Sequence, residues 1–480
     1  MLFAASAWPH RVARPAQPVA ALTGKMLARN IPATAFFVAA AMIAPASAAV
    51  FTLRDALVAA YQTNPQLEAA RARLRAVDEE VAQANALWRP SINATGSYGA
   101  VQSMVSGIPS PTASQPLIGQ VAISQPIFSG GRIGARIGRA NEDVEAGRGE
   151  LAATEQAVLL GAAQAYIDLL RDEAVVARNQ DNVRTLQSRL GAVRTQFNAG
   201  AVTRTDVNQV EARFALARAA LTSADLQQAL SRAAFESVIG RPAETLEEAP
   251  PPAGLPPSKE SALAVAGRES PGLVRARAMA RASDYAVDEA VGALLPQLSL
   301  SAQYQYLRDA AAPNIYVLNG VQQNLALIGQ LTIPIYQGGG EEAGVRRAGE
   351  LRAQSEAAIL VAERAVRQEV EGAWQSFASA QAALASSRTA AEADQAAVEG
   401  VTEEQKGGER SVLDILNAQA ELVTAQIAVE TARHDVGLAG YRLLAAMGQM
   451  RAAALKLPVP LYDPADHYNK SANAWFGLGD

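Results

Sequence analysis

The sequence repeats itself at an interval of about 208 residues, and this repetition limits the possible folds more than any other feature. Ser124–Gly131 and Thr332–Gly339 share a Pro-Ile pair, an aromatic residue and a Gly-Gly pair in the same order. Other pairs keep nearly the same spacing: Pro65 with Pro271, Gly200 with Gly408, and Asp206 with Asp414. We therefore predict one structural unit used twice, in tandem.

A proline-rich stretch marks the boundary between the two copies. Residues 241–258 contain a run of prolines that cannot continue a helix. We therefore predict a first repeat at 49–240, a connector at 241–258, a second repeat at 259–450 and a C-terminal tail at 451–480. Each repeat is expected to run helix, two strands, long helix, turn and helix.

Residues 1–48 have the pattern of a secretory signal peptide. Lys25 and Arg29 precede an apolar stretch that ends in the small residues Ala46–Ala48, which resemble a cleavage site. The mature chain is expected to begin near Ala49, and either Met1 or Met26 is the start. The pattern predicts an exported protein.

Composition excludes several classes of function. The chain has no cysteine, which excludes disulfides and thiolate chemistry, and its net charge of −5 comes without a basic block that would track nucleic acid. His434 and His467 have no second ligand at metal spacing, and no nucleophile has a companion base. We expect no enzyme, no cofactor and no metal. Beyond the leader no run of 18 apolar residues occurs, so we expect no membrane-spanning helix.

Two long helical segments dominate each repeat. Residues 133–197 contain no proline and would form a helix about 97 Å long, which needs a helical partner. The next segment has apolar residues at alternating steps of three and four, typical of a coiled-coil seam. The seam positions are Val207, Val210, Phe214, Ala217, Leu221 and Ala224, and 208 residues later Ile415, Ala418, Leu422, Ala425, Val429 and Ala432. A long amphipathic helix in any scaffold would explain this pattern equally well.

The strand segments separate these alternatives. From residue 297 to 306 polar and apolar residues alternate strictly, and the segments near 91–98 and 325–333 share the pattern. We count four such strands in the chain. Each strand has one apolar face and one polar, uncharged face, as expected for a barrel wall that contacts lipid outside and a water-filled lumen inside. A soluble sheet with two different faces is the alternative. Four strands cannot close a barrel, so closure requires several protomers.

Four fragments, in this order, resemble the outer-membrane efflux proteins typified by TolC: 51–57 with Asn64-Pro65, then 125–132, 333–339 and 408–419. The resemblance implies an α+β membrane protein: a trimeric 12-stranded β-barrel, with four strands per protomer, continued by an α-helical coiled-coil tunnel across the periplasm. It also implies a passive exit duct for drugs or a secreted polypeptide. The implied partners are two further copies, outer-membrane lipid, a periplasmic adaptor and an inner-membrane transporter of the RND or ABC type.

The resemblance also assigns roles to particular residues. The strand-to-helix turns would be Pro126, Gly130, Gly131, Pro334, Gly338 and Gly339, and the adaptor-docking helix tips Gly200, Thr203, Gly408 and Ser411. The connector and the tail would lie at the equatorial belt of the tunnel. Arg410 and Asp206 match a lock that closes the tunnel, and three copies of Asp414 would form an acidic ring.

Two alternatives stay open. The spacings Thr203–Asp206 and Ser411–Asp414 also fit capping boxes, in which the acids have a purely local role. For the whole chain, the alternative function is a periplasmic coiled-coil scaffold or adaptor that never enters the membrane.

Overall fold

The computed structural model describes residues 51–104, 112–308 and 320–477; the predicted signal peptide and its predicted cleavage site lie outside this part. The elements of the first half are α1 (Leu53–Thr63), α2 (Pro65–Ala86), β1 (Ser91–Tyr98), β2 (Val101–Ser103), β3 (Thr112–Ser114), β4 (Leu117–Phe128), α3 (Arg132–Asn198) and α4 (Arg204–Ile239). Those of the second half are α5 (Lys259–Glu269), α6 (Pro271–Gly292), β5 (Gln297–Arg308), β6 (Val321–Thr332), α7 (Gly340–Lys406), α8 (Val412–Ala446) and α9 (Asp466–Ser471).

The helices and the long strands of the two halves match, while the short strands β2 and β3 of the first half are additional to the two strands expected in each repeat. The long helices α3 and α7 each have 67 residues, α2 and α6 each have 22, and α1 and α5 each have 11. Pro65 and Pro271 occupy the first turn of α2 and α6, where the missing N–H costs no hydrogen bond. At 1.5 Å per residue, α3 and α7 are each about 100 Å long.

Each long helix packs against the helix that follows it. In α4 the buried residues include Val207, Val210, Ala217 and Ala224, which are four of the six predicted seam positions. In α8 Ile415, Leu422 and Ala432 are buried at the corresponding positions. Alanine at these positions allows close approach of the two helices, because its side chain ends at Cβ.

The principal core lies where the start of the described chain, the connector and the middle of α3 meet. Phe51 forms a parallel β-bridge with Leu246 of the connector. Tyr166 of α3 is fully buried, and its hydroxyl donates to the carbonyl oxygens of Phe51 at 2.8 Å and Glu247 at 2.7 Å. Phe235 of α4 packs against both aromatic rings. The connector therefore packs beside α1 and the middle of α3, and its place at an equatorial belt stays a prediction.

The four long strands form one antiparallel sheet in the order β1-β4-β5-β6, and the short strands β2 and β3 pair separately. Because Ile123 lies opposite Ile92 and Ala302, and Ala302 opposite Leu327, the alternation of each strand is in register with that of its neighbours. The result is one continuous apolar face: Ile92, Ala94, Gly96 and Tyr98 on β1, Leu117, Gly119, Val121 and Ile123 on β4, Leu300, Ala302, Tyr304 and Tyr306 on β5, and Leu325, Leu327, Gly329 and Leu331 on β6.

The tail, predicted to lie at the equatorial belt, contacts two different parts of the chain. Its first part lies beside α1, where the backbone N–H of Tyr462 donates to the Tyr61 hydroxyl at 3.0 Å. Its second part, α9, lies along α2 and α3: Tyr468 donates to Asn141 at 2.8 Å, and Asn85 donates to the carbonyl of Ala472 at 2.8 Å. The tail therefore runs along α2 towards the start of β1.

One helix corrects the expectation that no helix could span a membrane. By length and composition, α8 could cross a membrane, because an 18-residue window reaches a mean hydropathy of 1.2. The same helix packs against α3 and α7 and buries Glu430 and His434 against α3. In the single chain 22% of that window is buried.

Candidate functional site

The turns between α3 and α4 and between α7 and α8 have the same local structure. Gly200 and Gly408 adopt left-handed backbone conformations (φ 77° and 84°), which glycine reaches without steric cost. Each following helix begins with a complete capping box. The Thr203 hydroxyl accepts a hydrogen bond from the backbone N–H of Asp206 at 3.2 Å, and the Asp206 carboxylate accepts one from the backbone N–H of Thr203 at 2.9 Å. Ser411 and Asp414 make the same two hydrogen bonds at the same distances.

The capping hydrogen bonds set the electrostatics of these acids. Hydrogen bonds from Thr203 hold the pKa of Asp206 below its usual value. The backbone N–H and hydroxyl of Ser411 lower the pKa of Asp414 in the same way. Both carboxylates are therefore ionised at neutral pH, at the positive end of a helix dipole.

Arg410 is bound within its own turn. Its Nε donates to a Glu404 oxygen at 2.9 Å, and this hydrogen bond raises the pKa of Arg410. The Asp206 carboxylate accepts a hydrogen bond from the Thr203 hydroxyl. In the described chain no hydrogen bond joins Arg410 to Asp206. The lock between them, as a bond between neighbouring helix pairs, stays a prediction.

A contact that the sequence analysis did not predict links the two helix pairs near these turns. Arg213 of α4 donates from Nη2 to the Asn417 side-chain oxygen of α8 at 2.9 Å. Beside it Leu416 is buried among Leu190 and Val210. Arg213 and Asn417 are 204 residues apart, and no local signal in the sequence pairs them.

The strand-to-helix turns differ in their surroundings although their sequences match. Gly131 and Gly339 are the N-cap residues of α3 and α7, each with φ near 80°. Pro126 lies at a register shift of β4, where its missing N–H interrupts the ladder, and Pro334 follows the end of β6.

Gly130 lies against α6. A Cβ at Gly130 would lie 2.4 Å from the carbonyl oxygen of Gly292, so only glycine fits. At the equivalent Gly338 a Cβ would meet nothing within 4 Å in this chain. The first turn is thus packed within the chain, and the second is open.

A buried polar cluster connects α8 to the middle of α3. The ring of His434, 8% exposed, lies between two carboxylates: Nε2 is 2.6 Å from Asp168 and Nδ1 is 2.9 Å from Asp435. Arg171 lies 3.4 Å from Asp168. The sequence analysis missed this cluster because Asp168 is 266 residues away from His434. Among the described residues no group of side chains could hold a metal ion.

These contacts shift both groups in the direction that favours an ion pair. Burial lowers the pKa of His434, but the hydrogen bonds to Asp168 and Asp435 outweigh burial and leave the pKa raised. Burial raises the pKa of Asp168, and the hydrogen bond and charge of His434 together with Arg171 bring it below its usual value. The pair therefore joins α8 to α3 most strongly when His434 is protonated.

This cluster predicts a pH-dependent stability. Because the pKa of His434 is higher in the folded state, its stabilisation is complete below the unfolded value of 6.5 and is lost as the pH rises through the folded pKa. We expect the Tm of the wild-type protein to fall by a few degrees between about pH 6 and pH 8, and His434→Gln to flatten this dependence. Calorimetry in detergent measures both.

Glu430→Gln is the matched control for this prediction. It breaks the ion pair between buried Glu430 and partly exposed Arg178, which is 2.9 Å long and involves no histidine. It should lower Tm by a similar amount at every pH in the range. Equal slopes in wild-type protein and His434→Gln would contradict the role of His434.

Comparison with known proteins assigns the chain to a family. The family model described as "Outer membrane efflux protein" matches residues 56–241 and 263–449. The chain is 36% identical over 430 residues to the outer membrane efflux protein BepC of Brucella suis biovar 1, covering 89% of this chain and 92% of that protein. It is 24% identical over 425 residues to the outer membrane protein TolC of Vibrio cholerae, covering 84% and 94%.

The fold agrees with a solved outer-membrane channel. The crystal structure of the Campylobacter jejuni CmeC outer membrane channel superposes with a TM-score of 0.73 at 15% identity, covering 88% of this chain and 89% of that one. The predicted resemblance is thereby confirmed, as is localisation to the outer membrane with extension through the periplasm. The chain belongs to the outer membrane efflux protein family.

Proposed function

We propose that three copies of this chain assemble into the exit duct of a tripartite efflux pump or a type I secretion system. Each copy would contribute four strands to a 12-stranded barrel and its long helices to a tunnel through the periplasm. The observation that carries the proposal is the open sheet. Its apolar face is continuous across four strands, and in the described chain β1 and β6 each pair on one side alone.

The long helices support the same assembly. Across α7, all of which is described, Val370 is the one buried residue, whereas α3 buries 21 residues. Val361 and Leu360 are large apolar residues on α7 that stay exposed in the single chain. A helix about 100 Å long with so little burial needs a cover, and a neighbouring copy would supply it.

The tandem repeat, which we infer from the matching elements of the two halves, suggests how neighbours pair. Within the chain, Ala122 of β4 lies opposite Gln303 of β5. The repeat equivalents are Gln330, 208 residues after Ala122, and Ser97, 206 residues before Gln303. We infer that β6 of one copy pairs with β1 of the next, with Gln330 opposite Ser97. The open turn at Gly338 would then pack near Ala86 of the next copy, as Gly130 packs on Gly292.

Engineered disulfides test this register directly, because the chain has no cysteine of its own. We expect Ser97→Cys combined with Gln330→Cys to give covalent dimers and trimers on a denaturing gel after oxidation, since opposed Cβ atoms lie about 4.5–5.5 Å apart. Ala122→Cys with Gln303→Cys, opposed within one chain, should give a cross-linked monomer. Thr95→Cys with Gln330→Cys shifts the pairing by two residues and should cross-link poorly. Cross-linking that favours Thr95 would overturn the register, and a folded monomer would overturn the trimer.

The polar face of the sheet suggests a passive conduit. Residues such as Asn93, Gln120, Gln303 and Asn324 on that face are polar and uncharged, as in a wet barrel lumen. Energy would come from an inner-membrane transporter of the RND or ABC type, joined through a periplasmic adaptor. The membrane location makes the alternative of a periplasmic scaffold the weaker one.

Adaptor docking is proposed for the two helix tips. The turns at the ends of α3 and α7 farthest from the sheet are exposed. Their exposed residues are Gly200, Thr203, Gly408 and Ser411. Photo-cross-linking amino acids placed at Ala201 and Glu409 should capture an adaptor in intact cells. The same residue placed at Leu461, in the tail, should not. Capture of the same protein at all three positions would argue against docking at the tips.

A further inference from the structure

The end of the described chain returns to the base of the sheet. After α9, the Arg89 guanidinium donates to the carbonyl of Ala474 and lies 4.7 Å from the centre of the Trp475 ring, over its face. Arg89 is two residues before the first residue of β1. Trp475 and Phe476 are thereby held at the height where the barrel wall begins.

Both aromatic side chains are exposed in the single chain. The exposed fraction is 62% for Trp475 and 94% for Phe476, although a buried helix turn holds the segment in place through Ala472. Large exposed aromatics are costly in water, so a tethered pair of them indicates a surface that is covered in the functional protein.

The surroundings of the pair match a membrane border. Trp88, one residue before Arg89, is exposed, and so are Ile127 and Phe128 at the end of β4, which pairs with β1. Phe128, the last residue of β4, lies opposite Leu298, and Leu298 lies opposite Leu331, so the apolar sheet face extends to the end of β4. Tryptophan prefers the headgroup level of a bilayer, because its ring is apolar while its N–H can bond to water or phosphate. Arg89 supplies a cation at the same level.

We propose that Trp475 and Phe476 insert into the periplasmic leaflet of the outer membrane and that Arg89 holds them there. The partner is the headgroup region of phospholipid, and α9 is the strut that connects this anchor to the equatorial core. The proposal rests on the proposed barrel, because the strands define where the membrane begins.

Tryptophan fluorescence of the full mature chain in proteoliposomes tests the anchor. The mature region has three tryptophans, Trp88, Trp374 and Trp475. With Trp88→Phe and Trp374→Phe, Trp475 is the sole emitter. We expect lipids brominated near the headgroup to remove about half of its emission or more, and acrylamide in the water to quench it weakly. A chain retaining Trp374, which lies among the helices, should be insensitive to the brominated lipid.

Each result bears on the proposal. Strong acrylamide quenching of Trp475 without quenching by lipid would overturn it in favour of a solvent-exposed tail. Protection from both quenchers would overturn it in favour of coverage by a second copy. Adding Arg89→Ser should restore acrylamide quenching if Arg89 is the tether.

A second measurement avoids the tryptophan substitutions and separates this proposal from the barrel. A polarity-sensitive dye on Phe476→Cys should shift to the blue in lipid vesicles, whereas the dye on Leu461→Cys, exposed in the same tail, should not shift. Ser97→Cys with Gln330→Cys reports the assembly independently. If the Ser97–Gln330 cross-link forms but the dye does not shift to the blue, the membrane anchor is wrong and the proposed assembly stands. If neither the cross-link nor the blue shift is observed, the proposed function is contradicted as well.

Discussion

Replacing Leu327 with arginine should destabilise the membrane domain by about 2 to 4 kcal/mol. Leu327 lies in the middle of β6, is 73% exposed and belongs to the continuous apolar face. If that face contacts lipid, a guanidinium near the bilayer midplane loses its hydration without gaining a partner. We expect a lower denaturant midpoint for loss of strand structure in lipid vesicles, measured by circular dichroism, and less protein in the outer membrane.

Gln303→Arg is the matched control for this substitution. Gln303 lies opposite Ala326, the residue before Leu327, so the two sites have nearly the same depth and opposite faces. On the polar face the guanidinium would stay in water, and the midpoint should hardly change. If Gln303→Arg were the more harmful variant, the assignment of the two faces would be reversed.

The sheet could be predicted well from the sequence because its side chains follow a simple period. Pro90 and Pro296 stand directly before β1 and β5, and strict alternation on β5 predicts its two faces. The order β1-β4-β5-β6 was not predicted, because pairing depends on how the two halves approach each other. Alternation within one strand contains no information about its neighbour.

The turns could also be predicted, because capping chemistry is local. Thr203 and Asp206 are three residues apart, so the sequence shows both partners of the hydrogen bond. The contact between Arg213 and Asn417, and the pairing of His434 with Asp168, join residues more than 200 positions apart. Such contacts follow from the packing of one helix pair on another, which a single sequence does not specify.

The position of the tail is another feature that the sequence alone does not specify. The family resemblance implied a tail at the equatorial belt, and the first part of the tail contacts α1. The position of α9 depends on Tyr468 reaching Asn141 and on Ala472 packing with Val81 and Val144. These are shape and hydrogen-bond matches between surfaces far apart in the chain, and they leave no periodic signal.

The gate is the second place where a large effect is expected. We expect Arg410→Ser to raise single-channel conductance in planar bilayers several-fold, because Arg410 is proposed to bond to Asp206 of a neighbouring helix pair and to hold the tips closed. Charge-assisted hydrogen bonds are roughly twice as strong as neutral ones, and three symmetric copies would act together. Asp206→Ala should have a similar effect, and the double variant should be less than additive.

Glu404, the hydrogen-bond partner of Arg410 near the same turn, provides a control for this prediction. Glu404→Gln removes the 2.9 Å contact with Arg410 and leaves Asp206 untouched. If the lock reaches Asp206, freeing Arg410 from Glu404 should leave conductance unchanged or lower it. If the contact with Glu404 itself holds the tip, Glu404→Gln should raise conductance as much as Arg410→Ser does.

Capping alone predicts a different set of results. Removing the cap with Thr203→Ala should lower helix stability by about 1 kcal/mol, and Arg410→Ser should leave conductance unchanged. Asp414→Ala tests the proposed acidic ring. Hydrogen bonds from Ser411 keep Asp414 ionised at neutral pH, so three copies of Asp414 at the proposed constriction should favour cations. Its removal should therefore reduce block by polyvalent cations added from the periplasmic side, whether or not the lock exists. Unchanged conductance in Arg410→Ser together with unchanged block in Asp414→Ala would leave both residues with capping and local pairing as their whole role.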